Sequence, residues 1–213
     1  MLKTHKRTLI ITSIMILLPI IIGLVLWNRL PDVMATHFGA DNEPNGFSSK
    51  PFAVFGLPLF LLAVHWLCVL FISVDPRRKN ISPKLFSLIL WLIPAISLFT
   101  AIPVYAVNLG HKLDIIFFMM LFMGVLFTLI GNYLPKTRHN YTIGIRLPWT
   151  LDNEENWNRT HRLAGHIWMG CGILMIIFTL TGLIRAEWLI GVFIVTTWIP
   201  CVYSFWLHVR RGL

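Results

Sequence analysis

The chain has 213 residues, of which 56% are hydrophobic and only 13% charged, and its mean hydropathy is +0.73. A sequence this apolar cannot turn its whole surface to water, which excludes a soluble globular protein and points to an integral membrane protein. The formal net charge of +9 would suggest nucleic acid in a soluble chain, but its placement along this one reads as membrane orientation, with no direct nucleic-acid role.

Apolar runs of the length that crosses a hydrocarbon core as helix fall at 8–27, 52–74, 84–107, 114–134, 163–183 and 188–208. They predict six spans. The first follows Lys3, Lys6 and Arg7, yet it is long for a signal-peptide core and no A-x-A site follows, so it reads as a retained anchor. Between the first two spans, loop 28–50 carries Asp32, His37, Asp41 and Glu43. Their irregular separations argue against a metal site, and Asn42, Pro44, Asn45, Gly46, Ser48 and Ser49 are turn formers, so a compact hairpin on the outer face is expected. Phe38 and Phe47 would fold it back on the membrane surface. An ordered, acidic outer face suits a cationic or amphipathic peptide.

Pro58, Pro94, Pro103 and Pro200 fall inside spans and predict kinks. Cys68, Cys171 and Cys201 lie in spans without metal-ligand spacing and read as packing residues. Gly124, Thr128 and Gly131 share one face of the fourth span, where small residues admit a second helix. His65, Asn132 and His166 are the main polar candidates within spans and support an alternative reading as an ion- or solute-linked transporter. No acidic residue lies deep in a span to complete a carboxylate relay.

The inner loop, 135–162, is the densest chemistry in the chain. Pro135 ends the fourth helix, Asn140 to Gly144 permits a turn, and Pro148 keeps Leu147 extended. Asp152 is the expected N-cap of the next helix, with Glu155 completing a capping box and Glu154 in the first turn. Trp157, His161, Gly165 and Trp168 then recur at helical steps, predicting an interfacial helix that continues into the fifth span. Arg146 and Trp149 stand outside that account, in an extended strand where the arginine would stack on the tryptophan or pair with Glu154 or Glu155. His161 with Asp152, Glu154 and Glu155 is the one acid–base grouping. With those carboxylates explained by capping, and no G-x-S-x-G or H-E-x-x-H motif, the chain does not read as an enzyme and calls for no cofactor.

Fourteen of the eighteen Lys and Arg residues fall in segments that share a side with the N-terminus. The positive-inside rule therefore places both termini in the cytoplasm, with basic side chains against anionic lipid. The fold class expected is an all-α integral membrane protein of six transmembrane helices. Its parts would be an N-terminal helical hairpin, 1–75, and a four-helix region, 76–213.

Gly131-Asn132, Asn140, Gly144, Arg146 and the run Pro148-Trp149-Thr150-Leu151, followed by Trp157 and Arg162, resemble the signature of the SdpI family of bacterial membrane proteins. Leu147 stands where a threonine is often seen. Leu30-Pro31, His37-Phe38, Gly46 and Ser49-Lys50-Pro51 are similar to the short domain of unknown function that often precedes it. The resemblance implies an immunity and signalling role. A secreted, membrane-active peptide toxin would be met at the outer face, around His37, Phe38 and Lys50. The response surface would be Arg146, Pro148, Trp149, Thr150, Trp157 and Arg162 with Asn132, Asn140 and Gly144, and a cytoplasmic repressor would be the partner held there.

Overall fold

A computed structural model describes residues 5–183 and 185–213; Lys3, counted above among the inner charges, lies outside them. Among the described residues, six helices are long and apolar enough to cross a membrane. They are α1 (Lys6–Val25), α2 (Leu57–Val74), α3 (Pro83–Asn108), α4 (Ile115–Tyr133), α6 (Glu154–Leu180) and α7 (Trp188–Arg211), and a short α5 (Pro148–Asp152) precedes α6. The protein is a multi-pass membrane protein, built from the spans the hydropathy predicts. Alternation of six spans puts the 74–82 and 134–153 connections on the side of the N-terminus.

The outer loop is the departure from an all-helical chain. Strands β1 (Val33–Phe38) and β2 (Pro44–Ser49) pair antiparallel, Val33 opposite Ser49 and Ala35 opposite Phe47. The register is irregular on either side of His37. Asn42, with φ of 65°, makes the turn, a conformation an asparagine tolerates. Gly46 is needed because a Cβ there would lie 2.7 Å from the Cβ of His37 across the ladder. The free edge of β1 is covered by a side chain: Ala35 N–H donates to Asn108 Oδ1, and Asn108 Nδ2 donates back to Ala35 O, both at 2.8 Å. A π-helical turn, Phe52–Gly56, leads into α2.

The chain packs as two units. One holds the residues up to Ser73 with Phe86–Ile115. Its core is Leu30, Met34, Val54 and Tyr105, and Gly23 of α1 lets Val54 and Tyr105 come close. Polar side chains join its helices inside the apolar zone: Ser97 donates to Ile16 O at 2.9 Å, Tyr105 to Pro19 O at 2.8 Å, and His65 Nε2 lies 3.2 Å from Thr12 Oγ1. His65, fully buried, thus has an interhelical partner.

The other unit holds Val74–Leu85 and Ile116–Leu213. The small-residue face of α4 meets a matching one on α6. A Cβ on Gly131 would lie 2.9 Å from Gly165 O, and one on Gly172 would lie 2.6 Å from Gly124 O. Backbones at that spacing leave no room for larger side chains, the packing that membrane helices use in place of a hydrophobic drive. Helix α7 lies along α6, with Trp168 Nε1 donating to Thr196 O at 2.9 Å.

Candidate functional site

Residues 137–157 do not float beneath the helices. Asn140, fully buried, folds the turn around its own side chain. Its Oδ1 accepts from Thr142 N at 2.9 Å and Ile143 N at 2.6 Å, while its Nδ2 donates to the carbonyls of Arg138 and Ile143. Four bonds to one buried amide fix the local backbone. The turn ends at Gly144, whose φ of 117° and whose closeness to the His161 and Trp157 rings both exclude a side chain.

An acidic residue from the preceding inner connection secures this turn. Asp75, 3% exposed, accepts from Arg77 N at 2.7 Å through Oδ1. Its Oδ2 accepts from Tyr141 N at 3.0 Å and from the Thr142 hydroxyl. Arg77 then lies 4.8 Å over the Tyr141 ring with Nη1 2.7 Å from His139 Nδ1, and Asn80 Nδ2 donates to His139 O at 2.7 Å. Burial first, and then the Arg77 charge, push the His139 pKa below its ordinary value; a bond from the ring to the Leu151 backbone carbonyl and the Glu154 charge oppose this.

Aromatic stacking continues inward. His139 lies 5.1 Å from the Trp157 ring, and Trp157 stacks on His161 at 4.0 Å. Trp157 is fully buried and its Nε1 donates to Thr137 O at 2.8 Å. His161 Nε2 accepts from Ile145 N–H at 2.9 Å and its Nδ1 faces Trp157 O at 2.8 Å. Both ring nitrogens are engaged, which leaves none for acid–base work.

Four local expectations are corrected. Asn153, not Asp152, caps α6, its side chain accepting from Glu155 N at 2.9 Å and Asn156 N at 3.0 Å. Asp152 instead ends α5, because Thr150 starts that turn by accepting from Leu147 N at 2.8 Å and donating to Ile145 O at 2.9 Å. Trp149 is therefore on a helical turn, not an extended strand. It does not hold Arg146: its Nε1 donates to Ser204 Oγ at 2.8 Å, and its ring stacks on His208 at 5.8 Å. Arg146 Nη1 donates to Tyr141 O at 3.1 Å, and Glu155 pairs with Arg159 instead. Finally, the Trp157–His161–Gly165 face of α6 is buried in protein, not laid on lipid.

Of the predicted site residues, Asn140, Gly144, Trp149, Thr150 and Trp157 converge on this one assembly. Arg146, Pro148 and Arg162 are exposed on it. Asn132 is also exposed and accepts from Lys136 Nζ at 2.9 Å. Sequence reasoning missed Asp75, Arg77 and Asn156. Asn156 is fully buried and binds α7 and the C-terminus, donating to Ser204 O at 3.0 Å and Leu213 O at 3.1 Å while accepting from the Ser204 and Thr160 hydroxyls. The one available signal was Asp75 itself, a lone carboxylate at a span end beside a run of basic residues.

On the outer side, Lys50 is 9% exposed. Its ammonium is 3.0 Å from Asp32 Oδ1, 3.3 Å from Trp27 O and 5.4 Å from the Trp27 ring centre, while its N–H donates to Asp32 O. It closes the base of the hairpin. His37 is exposed and bonded to Asn45; Phe38 is half-buried.

Fold and site together define a multi-pass membrane protein whose inner connections are bound into a single polar and aromatic assembly beside α6 and α7. Residues 136–204 match the model of the SdpI/YfhL protein family, and residues 14–62 match a domain of unknown function, DUF1648. These matches bear out the resemblance read from the sequence, taking in the signature residues from Asn140 to Arg162 and those from Leu30 to Pro51. The protein described as Immunity protein SdpI, from Bacillus subtilis (strain 168), is 26% identical over 198 residues, 92% of this chain and 91% of the relative. No solved structure matches.

Proposed function

We propose that this is a membrane immunity protein, protecting its cell against a secreted, membrane-active antimicrobial peptide. The observation that carries the reading is the end-to-end likeness to a relative described as an immunity protein, which takes in both the outer hairpin and the inner assembly. The outer face, with its ordered hairpin, meets the peptide. The inner assembly is a firm platform that presents Arg146 and Arg162 to the cytoplasm, where a small repressor is held while peptide is present. In this reading Asn140, Gly144, Thr150 and Trp157 shape the platform, and the exposed arginines contact the partner. No bond is made or broken, so the role is not enzymatic.

Expression of the full chain in peptide-sensitive cells tests this. Survival under challenge should rise above that of cells without it, and the membrane potential should hold longer; survival equal to the empty control overturns the proposal. The signalling part is read separately, by following a fluorescent fusion of a repressor encoded beside this gene. Peptide should move it to the membrane in wild-type cells and not in the Arg146→Ala, Arg162→Ala double variant. Equal recruitment in both removes the arginines from the account.

A further inference from the structure

Beneath the outer hairpin lies a partly enclosed cavity of about 180 Å³. Thr36 and Ser48 of the hairpin, Phe52 and Ala53 of the π-helical turn, and Ala101 and Tyr105 of α3 are among its walls. An apolar protein cavity of about 150 Å³ stays dry and takes up benzene, so this one has room for a single aromatic ring. Its hydroxyls make no call on a polar ligand. Thr36 and Ser48 bond each other at 3.1 Å, Tyr105 is spent on Pro19 O, Ser97 on Ile16 O, and Thr100 donates to Ile96 O at 2.8 Å. What the cavity offers a ligand is apolar surface.

Two further observations say where that ligand comes from. Phe52, 65% exposed, and Leu57, 40% exposed, are the wall residues open to the surroundings, and Phe52 stands on a single π-helical turn, a feature that recurs at functional sites. The hairpin, residues 33–49, carries Asp41 and Glu43 at its tip, both exposed, and no Lys or Arg. The nearest lysine, Lys50, is buried and tied to Asp32. An apolar ring-sized hole walled by a hairpin whose tip carries two exposed carboxylates is complementary to a cationic amphipathic peptide that anchors through one aromatic side chain, the residue type that dominates such pockets.

We propose that this cavity is the docking pocket for an aromatic side chain of a cationic, membrane-active peptide, with Asp41 and Glu43 attracting its positive charge. The proposal rests on the immunity reading for the identity of the peptide. The cavity itself does not depend on it.

The test uses the full chain in phosphatidylcholine nanodiscs with indole as the ring-sized probe. Indole should raise the thermal midpoint of the wild type saturably, since a ligand that binds only the folded state stabilises it. Ala101→Phe and Ala53→Leu, which fill the cavity from two different walls, should show no such rise. An equal rise in wild type and both variants, or none in the wild type, overturns the pocket. In challenged cells, each filled variant that reaches the membrane with an unchanged midpoint should lose protection by about tenfold, and so should Asp41→Asn with Glu43→Gln. Full protection by a folded, filled variant also overturns the pocket while leaving the immunity reading standing. No protection by the wild type overturns the immunity reading and the peptide as occupant, and the indole measurement still decides whether the cavity takes a ring.

Discussion

Arg146 and Trp149 sit three residues apart, yet their surroundings differ entirely. The tryptophan is fastened to α7 through Ser204 and His208, and the arginine is exposed with a bond to Tyr141 O. Replacing Arg146 by alanine should accordingly change stability by no more than about 0.5 kcal/mol while weakening peptide-dependent recruitment of the repressor, checked by a melting curve and the localisation of the fluorescent fusion. Gly144→Ala should act on stability. Its φ is one a side chain strains, at about 1–3 kcal/mol, and its Cβ would press on His161 and Trp157. The melting temperature in detergent should fall clearly, and an unchanged value would mean that the turn is not built this way.

His139 sets the expected pH response at this scale. Its folded pKa lies below the ordinary 6.5, through burial and then the Arg77 charge. The stability it contributes is present in full above about pH 6.5 and is lost as pH falls from there through the lowered folded value, because the unfolded chain takes up the proton first. Melting curves between pH 8 and pH 5 should show this loss, and His139→Gln should make it shallower. A wild-type curve that is level across that range would contradict the assignment.

At the level of elements, the sequence announced what depends on period and composition. Six spans follow from apolar length. The α4 stripe of Gly124, Thr128 and Gly131 foretold a close helix, and the structure supplies α6 with Gly165 and Gly172 as the other half. Gly172→Leu should force these helices apart, lowering the melting temperature far more than the same change at Gly170, where a Cβ meets nothing within 4 Å; equal effects would argue against the packing. Cap position was misread by one residue because Asp152 and Asn153 are both good caps. The choice fell to Thr150, whose hydroxyl starts α5 and so consumes Asp152. Burial of the Trp157 face was illegible for a related reason: an amphipathic aromatic stripe looks the same whether it meets lipid or protein. Helix α6 has 27 residues, about 40 Å at the usual rise. That exceeds a hydrocarbon core of about 30 Å and lets its first turns pack beneath the membrane against the inner loop.

Across the whole molecule, the long-range polar contacts are what sequence reading could not supply. Asp75 binding Tyr141 and Thr142, Asn108 lining the edge of β1, and Asn156 holding Ser204 and Leu213 join residues 48 to 73 positions apart. No local pattern encodes such pairs. Signature residues were recognisable as a group, but the sequence did not separate those that build the platform from those that face outward. That separation turns the signature run into two testable sets: buried residues whose loss unfolds the loop, and exposed arginines whose loss leaves the fold intact.

The central claim is tested most directly by the survival of peptide-challenged cells carrying the wild-type chain, the Arg146→Ala, Arg162→Ala variant, or no chain, at matched membrane levels. The account predicts that the wild type protects, and that the double variant, folded and present in the membrane at the same level, protects too, because its arginines serve recruitment of the repressor. Survival with the wild type no better than with no chain would contradict it.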